Sequence, residues 1–539
     1  MRAESLVGIW GAEAPALFEV FRATADIRMA YATFAVLWRV AFAKNCQDGA
    51  VSQHRFPYQS FKGALNASWK AKKLWQLLDR RIARPEYRSA PCKGLRTLVV
   101  GAGPCGLRAA IELRLLGAEV VVVDRRVHFS RINQLHLWAW CGEELKALGA
   151  RILEPPPSNF GANPDLLHVS ISDLQKLLFK VALLLGVEVL LGTDFVCTEW
   201  NAADAQWQAR LQPASASSMS LAEGLSGEVS PVSKHQELPS PAAPEVLRGI
   251  SAVIVANGFG SSIGQTHGLQ VVETQSLRQE NAIGLVCNFK RSNGSAERNV
   301  RSFSMAAQFY MPLFMKLLAS TGAELENMVY TKGQASHYFV MTPTHRCLID
   351  AGVIMDRTYK PLLGPENIDR EKLDAFIRKV TSFQFKDGEP AVLDAATEDL
   401  SPAKKSVEYA DSGPRLFDFS KMRRHTEALA FVSPSAPADG EDEEGPNDLL
   451  VAVVGDALIE PFWPEGLGIV RGFFSVLDAG SAIAAWAGGA SQTVTRRHLE
   501  SAYQHLKTVG AATRSSVLKE DESAYALDPA SRYRQFRIE

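Results

Sequence analysis

One segment, Leu98–Arg126, constrains the fold of this chain more than any other. It reads LVVGAGPCGLRAAIELRLLGAEVVVVDRR, and the apolar residues at 95–100 predict a buried parallel strand. The turn that follows, Gly101-Ala-Gly103-Pro-Cys-Gly106, leads into a helical pattern and then into a second apolar strand that ends at Asp124. A strand, a glycine-rich turn, a helix and a strand with a terminal acid, at this spacing, predict a dinucleotide-binding unit rather than an ordinary glycine turn.

Each glycine and the acid have a physical role in such a unit. Gly101 makes the tight turn, Gly103 lets the backbone approach a pyrophosphate, and Gly106 lets the helix pack closely on the strand. The helix N-terminus presents free N–H groups and the positive end of its dipole to the phosphates. Asp124, at the tip of the second strand, can accept hydrogen bonds from a ribose.

Composition limits the possible classes of protein. The 539 residues, 46% of them hydrophobic, suffice for a large core and two or three domains. None of the seven cysteines forms a CxxC pair, so we expect no metal site and no disulfide framework. The apolar run Met29–Trp38 is too short to span a bilayer and lies between two arginines. We therefore expect no membrane span, and a reducing, cytoplasmic location.

Charge is unevenly distributed along the chain, although the net charge is only −1. Residues 61–131 contain fifteen Lys or Arg against five Asp or Glu, whereas Asp439–Asp448 is an acidic run. Such a basic face either is simply solvated or docks onto an acidic partner, and the sequence leaves both readings open. No pattern indicates a nucleic-acid partner.

The remaining patterns give a coarse organisation of the chain. Residues 14–90 show helical spacing, and a Ser/Pro/Ala-rich stretch at 213–244 is predicted to be a disordered insertion. Apolar or alternating runs between 283 and 353 suggest an antiparallel sheet. The individual elements predicted are the helix Val169–Gly186 and the strands or strand-like runs Val187–Leu191, Ile250–Ala256, Ile283–Phe289, His337–Met341 and Cys347–Val353.

A second glycine-and-acid turn lies near the C-terminal end. The apolar strand Leu449–Val454 opens onto Gly455-Asp456, and a helix at Gly472–Trp486 follows. An acid on such a turn can bind ribityl hydroxyls while the next helix points its N-terminus at a pyrophosphate. Paired with the first turn, this arrangement favours FAD over NAD(P) alone.

Taken together, these blocks resemble the flavoprotein monooxygenase domain of the MICAL proteins. The resemblance extends over nearly the whole chain, and its most specific part is the segment GDALIEPFWPEGLG, which begins at Gly455. The other matching blocks, in order, are WKAKKLWQLLDRR, the first glycine segment, FSRINQLHLW, ISDLQKLLFKVALLLGVEV, LENMVY, HYFVMT and YALDPASRY.

The resemblance implies a fold and a division into domains. The fold is α/β, with an FAD-binding Rossmann-like domain of the glutathione-reductase type and an inserted antiparallel-sheet monooxygenase domain of the p-hydroxybenzoate hydroxylase type, plus N-terminal helices. The helical layer is expected at 1–92, the FAD-binding domain at 93–264 and 396–539 with an acidic loop at 434–448, and the sheet-rich substrate domain at 265–395. Calponin-homology and LIM modules are not expected in this chain.

The resemblance also implies roles for individual residues. The FAD contacts would be made by the turn at Gly101, Gly103, Cys105 and Gly106 and by Asp124, Arg126, Arg131, Asn133, Phe195 and Asp456. An aromatic contact from the sheet falls on Phe309 or Tyr310. Trp463 would pack beside the flavin and shield it. Arg125, together with Arg126 and Arg131, is a candidate for the NADPH 2′-phosphate. Ala139 and Trp140 depart from the family's Pro-Phe pair, and residues 155–163 lengthen a neighbouring loop.

The function implied is oxidation of methionine side chains of F-actin, or of a similar protein, which promotes filament disassembly. NADPH would reduce FAD, O2 would form a flavin C4a-hydroperoxide, and its distal oxygen would pass to a thioether, giving methionine sulfoxide. Two alternatives remain open. The chain could be an NADPH oxidase that releases H2O2 or a hydroxylase of a small aromatic compound, or it could be a non-enzymatic cytoskeletal binder.

Overall fold

The structure is a computed structural model, and its description starts with a layer of helices ahead of the first strand. It describes residues 14–47, 54–151, 167–215, 244–274, 283–291, 302–333, 336–386, 407–419, 422–434, 447–461 and 467–509. The helices of this layer are α1 (Ala14–Ala23), α2 (Ile27–Gln47), α3 (Pro57–Ala64), α4 (Trp69–Ile82) and α5 (Pro85–Arg88).

The central part of the chain alternates strands and helices. Its elements are β1 (Arg96–Val100), α6 (Pro104–Leu116), β2 (Glu119–Asp124), β3 (Gln134–Leu137), α7 (Ala139–Ala147), β4 (Leu167–Ser170), α8 (Ile171–Leu185), β5 (Glu188–Leu191), β6 (Thr193–Asn201), β7 (Gln206–Pro213), β8 (Val246–Arg248), β9 (Ala252–Val255) and α9 (Ile263–Thr266).

Strands predominate between residues 271 and 453, and two helices follow them. These elements are β10 (Val271–Thr274), β11 (Ile283–Lys290), β12 (Phe303–Ala306), α10 (Met311–Thr321), β13 (Leu325–Lys332), β14 (Ser336–Pro343), α11 (His345–Asp350), α12 (Arg370–Lys386), β15 (Arg415–Asp418), β16 (Met422–His425), β17 (Leu429–Val432), β18 (Leu449–Val453), α13 (Gly468–Ala487) and α14 (Gln492–Thr508).

A six-stranded sheet forms the centre of the molecule, in the order β17-β18-β9-β1-β2-β5. All its neighbours are parallel except the β17–β18 pair, and Val99 lies opposite both Val122 and Ile254. Its inner strands are buried on both faces, which explains why their sequences are continuous apolar runs rather than alternating ones. Helix α6 packs against α8 and α13 beside this sheet.

The N-terminal helices share their hydrophobic core with this sheet. Aromatic side chains fill the space between them: the Trp75 ring lies 5.6 Å from that of Phe18 and 5.3 Å from that of Tyr58, between centroids. Such pairs contribute beyond the apolar area that they bury. The helices are therefore part of the nucleotide-binding half of the molecule.

A second sheet, entirely antiparallel, has a core of its own. Its order is β12-β13-β14-β11-β15, and α10, α11 and α12 contribute apolar residues to the core. Two small two-stranded sheets, β3-β4 and β10-β16, and the three-stranded sheet β6-β7-β8 complete the strands described. The predicted fold class, a parallel nucleotide-binding sheet with an antiparallel sheet domain and N-terminal helices, is confirmed.

Two local predictions are wrong. The run Cys347–Val353 is not a strand, because Thr344 caps a helix there: its hydroxyl accepts a hydrogen bond from the Cys347 N–H at 3.2 Å. The helix expected from Val169 begins at Ile171 instead, since residues 167–170 pair with β3. Most of the stretch predicted to be disordered, 216–243, lies outside the described residues, and the domain boundaries stay a prediction.

One described helix, α13, is long and apolar enough to cross a bilayer by length and composition. In the fold, 83% of its apolar window is buried. Its apolar surface is thus covered by α6, α14 and the first turn of the nucleotide unit rather than left free.

Candidate flavin site

The first glycine turn brings strand β1, helix α6 and strand β9 into close contact. Gly101 has a φ of +109°, and a Cβ on it would lie 2.6 Å from the Ala256 carbonyl oxygen. A Cβ on Gly106 would overlap the Gly101 carbonyl oxygen. These two positions exclude every other residue on geometry within the protein itself.

Gly103 differs from the other two glycines. A Cβ there would come no closer than 3.9 Å to a protein atom, so the protein alone does not require glycine at this position. Gly103 is also the N-cap of α6 and gives it no side-chain cap. The first N–H groups of a 13-residue helix are therefore left available beside an open backbone, which is the arrangement that a phosphate needs.

The second glycine turn packs directly on the first. Gly455, with a φ of +64°, begins a short 3-10 turn after β18, and a Cβ on it would lie 2.9 Å from the Cys105 Sγ. A Cβ on Gly472, in α13, would overlap the same sulfur. Burial raises the pKa of the Cys105 thiol, and the Asp456 charge raises it further. The two turns, far apart in sequence, thus pack against each other, and we call the side of this contact that carries the α6 N-terminus and Asp456 the cleft.

Strand β16 is hydrogen-bonded to the residues that follow Asp456. The His425 N–H donates to the Leu458 carbonyl at 3.0 Å, and the His425 ring Nδ1 donates to the Ala457 carbonyl at 2.9 Å. The Glu460 N–H donates to the Arg423 carbonyl at 3.0 Å. Because backbone and side chain both contribute, the position of residues 456–460 follows that of β16.

Asp124 lies at the tip of β2 with both carboxylate oxygens bonded. It accepts hydrogen bonds from the Ala102 N–H at 2.7 Å, from the Arg126 N–H at 2.8 Å, and from the Arg126 guanidinium at 3.0 and 3.1 Å. Burial alone would raise the pKa of Asp124, but Arg126 and the Ala102 N–H outweigh it and hold that pKa below its usual range. Asp124 therefore ties the strand tip to the glycine turn, and its contact with a ribose stays a prediction.

Arg125 and Phe195 lie on the outer side of the same strand end. Arg125 Nε is 3.3 Å from Asp194 Oδ1, and its side chain is about two-fifths exposed. Phe195, next along β6, is half-buried against the main core. Their predicted contact with a dinucleotide stays a prediction.

Arg131 is a partly buried cation, close enough to Asp456 and Asp124 for their charges to act on its pKa. Burial, and then the charge of Arg126, lower its pKa to about 10, while Asp456 and Asp124 offset part of that shift. Burial raises the pKa of Asp456 to about 6, and Arg131 offsets it only partly. Among the described residues, the Arg131 guanidinium has no carboxylate within ion-pair distance. A cation in this position lacks an anionic partner, and a pyrophosphate would supply one.

Asn133 joins the two sheets. Its carbonyl accepts from the Ile171 N–H at 3.0 Å, and its side-chain Oδ1 accepts from Asn288 Nδ2 at 3.1 Å. Asn288 also donates to Asp411 Oδ2 at 2.9 Å, and Arg415 donates to that same oxygen at 2.6 Å. The residue predicted to contact FAD is thus held by a polar chain that belongs to the antiparallel sheet.

Sequence reasoning missed four residues of this region: Asn257, Asn288, Asp411 and Arg415. Asn257 had a readable signal, because Ala256-Asn257-Gly258 directly follows a buried strand that is parallel to β1. Its Oδ1 is buried and has no hydrogen-bond partner within the described ranges. Gly101 lies against its Cα. The other three had no sequence signal, since only the folded chain brings them beside Asn133.

The described residues do not place either of the two aromatic side chains predicted to contact the flavin ring at the cleft. Trp463 lies outside the described residues, as do 155–163. Phe309 lies in the turn between β12 and α10 and is 76% exposed, and Tyr310 beside it is 41% exposed. Trp140, a departure from the family pattern, packs on α13 with its ring 4.9 Å from that of Phe474.

Comparison with known proteins adds to this geometry. A family described as "Mical, Rossman domain" matches residues 281–401, and one described as "FAD binding domain" matches residues 95–136. The mouse protein named [F-actin]-monooxygenase MICAL1 is 35% identical over 494 residues, which are 90% of this chain and 40% of that one. Over this stretch the chain is similar in sequence to the MICAL proteins.

Human [F-actin]-monooxygenase MICAL1 is likewise 35% identical over 485 residues, covering 88% of this chain and 39% of its own. The chain thus spans about two-fifths of the length of these curated relatives. Residues 281–401, matched by the first family description, contain four of the five strands of the antiparallel sheet, β11 to β14, while the strands of the parallel sheet lie outside that range. A solved structure, the OxyS anhydrotetracycline hydroxylase from Streptomyces rimosus, is 15% identical with a TM-score of 0.45, covering 82% of this chain and 72% of its own.

Proposed function

We propose that this chain is the flavin-dependent part of an NADPH-consuming monooxygenase that oxidises methionine side chains of F-actin to methionine sulfoxide. The observation that carries the proposal is the packing of the Gly455 turn on Cys105, which joins the two predicted nucleotide contacts in one cleft. The printed names of the relatives, [F-actin]-monooxygenases, supply the substrate.

Three features of the cleft fit FAD. The N-terminus of α6 has no side-chain cap, the partly buried Arg131 has no carboxylate within ion-pair distance, and the Asn257 Oδ1 is buried without a partner in the described part of the chain. A pyrophosphate would accept hydrogen bonds from the α6 N-terminus and from Arg131. A hydroxyl or ring N–H of the dinucleotide would donate to the Asn257 Oδ1. Each of these groups costs free energy in the protein alone and would gain a partner from the same ligand.

Under this proposal, different residues contact different parts of the dinucleotide. The backbone at Gly101, Gly103, Cys105 and Gly106 would hold the pyrophosphate with Arg131. Asp124, Arg125, Arg126 and Phe195 lie toward the adenosine end, and Asn133 and Asp456 toward the ribityl chain. Trp463 and Phe309 remain our candidates for the two aromatic contacts with the ring. Arg125, Arg126 and Arg131 remain our candidates for the 2′-phosphate of NADPH.

A bound flavin would supply the redox chemistry, which is acceptance of a hydride from NADPH and activation of O2. The balanced reaction consumes NADPH, a proton, O2 and one thioether, and gives NADP+, water and one sulfoxide. A thioether is already a nucleophile, so the protein needs no general base for this transfer. It must bind and orient the substrate methionine and exclude water from the reacting atoms, the role that we assign to Trp463.

The proposed setting is the actin cytoskeleton, because the substrate is a filament. The alternatives, release of H2O2 without a protein substrate or hydroxylation of a small aromatic compound, use the same cleft. They differ in one measurable respect: neither requires NADPH consumption to be coupled to oxidation of actin.

The test begins with the flavin. The purified protein should carry FAD, seen by its absorbance, and NADPH should bleach it under anaerobic conditions. In air, F-actin should then stimulate NADPH consumption in a saturable way, and mass spectrometry should find oxidised methionines in the actin. Catalase should not abolish them, because free H2O2 is not the proposed oxidant. Actin left unmodified by the flavin-loaded protein would overturn the proposal.

A further inference from the structure

Helix α4 has two faces of opposite character. The face that points inward, formed by Ala71, Trp75, Leu78 and Arg81, is buried against the N-terminal core. The opposite face is exposed and carries Trp69, Lys72, Lys73, Gln76 and Arg80. The spacing of these positions, three or four residues with one adjacent pair, places them in one stripe along the helix. We call these five residues the α4 stripe.

Trp69 is the unusual member of the stripe. Its side chain is 63% exposed, although a tryptophan normally finds cover in a folded protein. Two cations flank its ring: the Arg151 guanidinium carbon is 5.4 Å from the ring centroid and the Lys70 Nζ is 6.0 Å from it. Lys70 is fixed in turn by Glu19 at 3.0 Å. The Trp69 indole is therefore exposed to solvent with a positively charged side chain on each side of it.

The turn that carries Arg151 is fitted to α4. Gly149 has a φ of +105°, and a Cβ on it would lie 2.6 Å from the Leu74 Cδ1. The chain can come this close to the helix only with glycine at that position. The position of Arg151 beside Trp69 thus follows from backbone packing and not from a side-chain rotamer alone.

The positive charge of the stripe is not neutralised nearby. Asp79, the single acid of α4, pairs with Lys62 at 2.7 Å on another face. Lys72, Lys73 and Arg80 have no carboxylate within ion-pair distance in the ranges that the structure describes. An exposed aromatic side chain in a field of uncompensated cations is a common feature of protein interfaces with charge complementarity.

We infer that the α4 stripe is the docking surface for an acidic protein partner, which under the proposed function is the actin filament. The partner would offer carboxylates to Lys72, Lys73 and Arg80 and a recess for the Trp69 indole. A membrane would require a continuous apolar face, and the apolar face of α4 is already buried in the core. A single-stranded nucleic acid would require several stacking aromatic side chains, whereas the stripe has one.

The stripe is mechanically tied to the flavin cleft. Arg81, on the inner face of α4, pairs with Glu144, and Glu144 accepts from Arg108 of α6 at 2.7 Å. Helix α6 is the one whose N-terminus borders the cleft. Docking on α4 therefore takes place on an element that is rigidly joined to the nucleotide helix.

The experiment uses three versions of the full chain loaded with FAD. One carries Lys72→Glu, Lys73→Glu and Arg80→Glu, and a second carries Trp69→Ala. The control carries Lys316→Glu, Arg346→Glu and Arg357→Glu, which reverse the same number of exposed charges on the antiparallel-sheet part. FAD absorbance and thermal unfolding check that each variant is folded. Binding is read by co-sedimentation with F-actin at several salt concentrations, and catalysis by NADPH consumption as F-actin is varied.

We expect both stripe variants to raise the apparent Kd and the KM for F-actin at least about tenfold, while kcat changes less than about twofold. The control variant should stay within about twofold of the unmodified chain. Salt should weaken filament binding of the unmodified chain more steeply than that of the triple stripe variant.

Other outcomes separate this inference from the proposed function. Equal filament binding by the stripe variants and the unmodified chain would overturn the docking surface while leaving the oxidation of actin in place. Binding of the stripe to phosphatidylserine vesicles or to single-stranded DNA, without binding to filaments, would overturn it as well. If the unmodified chain sediments with filaments through the stripe but oxidises no methionine, the docking surface stands and the proposed function fails.

Discussion

At the scale of single residues, Arg131 and Asp456 are opposite charges that the protein compensates only in part. Burial lowers the pKa of Arg131 to about 10 and raises the pKa of Asp456 to about 6. The charged form of each side chain is therefore less stable in the fold than in water. A protein retains such groups where a ligand uses them. Under the proposed function, a bound dinucleotide would recover part of the free energy that the flavin-free fold loses here.

Replacing Arg131 with Met should separate stability from cofactor binding. Loss of a charge-assisted hydrogen bond to phosphate, about 2–3 kcal/mol, should raise the dissociation constant for FAD about 30- to 150-fold. The flavin-free variant should resist urea at least as well as the parent, because a buried cation has been removed. Arg131→Lys, which keeps the charge, should lose less affinity. Unchanged FAD affinity in the Arg131→Met variant, measured by fluorescence titration, would contradict the assignment.

Asp456→Asn should show a pH-dependent gain in stability in the flavin-free protein. The pKa of Asp456 is raised from 3.8 to about 6 in the fold, so its ionisation destabilises the folded state. The cost is absent below about pH 4, grows between about pH 4 and 6, and is complete above that. The variant should be more stable by on the order of 1–3 kcal/mol at about pH 7.5, and the difference should shrink toward zero near pH 4.

The measurement is urea unfolding at the two pH values. Asp350→Asn, which removes an exposed carboxylate, is the matched control and should change stability little at either pH. A gain for Asp456→Asn that is the same at both pH values would show that ionisation is not its cause.

At the scale of elements, the contact between α13 and the first glycine turn depends on one missing side chain. Gly472 lies in the interior of α13, where alanine is normally better by about 1 kcal/mol. Here a methyl group would overlap the sulfur of the partly buried Cys105, which also lies against Gly455. The helix accepts a poorer residue so that it can lie against the turn.

Gly472→Ala should therefore destabilise the protein by about 1–3 kcal/mol and weaken FAD retention, because overpacking displaces the turn. Adding Cys105→Ala should recover most of the stability, since the sulfur that the methyl meets is gone. Gly63→Ala, in α3, is the control: a Cβ there meets nothing within 4 Å, and the variant should be slightly stabilised. Additive losses in the double variant, measured by urea unfolding, would contradict this contact.

Elements were predictable from sequence where several signals agreed. From 95 to 124 the glycine positions, the valine runs and the terminal acid all indicate the same unit, and the structure has β1, α6 and β2 there. The run Cys347–Val353 carried one signal only, an apolar stretch of strand length, which does not distinguish a strand from a short helix. The cap by Thr344 decided it.

The site was predictable only where its residues follow local rules. Gly101, Gly106 and Gly455 are fixed by backbone geometry and could be named in advance. Asn288 and Asp411 could not, because they lie 123 positions apart and reach Asn133 only when β11 and the segment before β15 are folded together. Their residue types occur throughout the chain, and no spacing marks them.

At the scale of the whole molecule, a buried network of charges joins the N-terminal helices to the nucleotide half. Arg81 and Arg108 share Glu144, Arg108 also donates to Glu112 at 2.7 Å, and the Tyr87 hydroxyl donates to Glu112 at 2.9 Å. Burial alone would raise the pKa of Glu144, but Arg81 and then Arg108 hold it at about 2. The network lies between α4, α5, α6 and α7.

Glu144→Gln should cost about 3 kcal/mol at neutral pH, because it leaves Arg81 buried without its carboxylate. Since the pKa of Glu144 is lowered, the stabilisation is present above its ordinary pKa near 4.5 and is lost as the pH falls toward 2. Glu143→Gln is the neighbouring control, because Glu143 is 71% exposed, and it should change stability by less than about 0.5 kcal/mol.

Urea unfolding at neutral pH measures both variants. Limited proteolysis adds a second readout, since loosened N-terminal helices should be cut earlier in the Glu144→Gln variant than in the control. Equal stability of the two variants would show that the network contributes no net stabilisation.

The bonding of β16 to the Asp456 turn has a consequence for motion. Asp418 ends β15 in the antiparallel sheet, Met422 begins β16, and four peptide units can span at most about 14 Å. A tilt of that sheet beyond the available slack must displace β16, and the hydrogen bonds of His425 and Glu460 then carry the displacement to the carboxylate side of the cleft. Under the proposed function, a partner that binds the antiparallel sheet would thereby alter how firmly Asp456 holds the ribityl end of the cofactor.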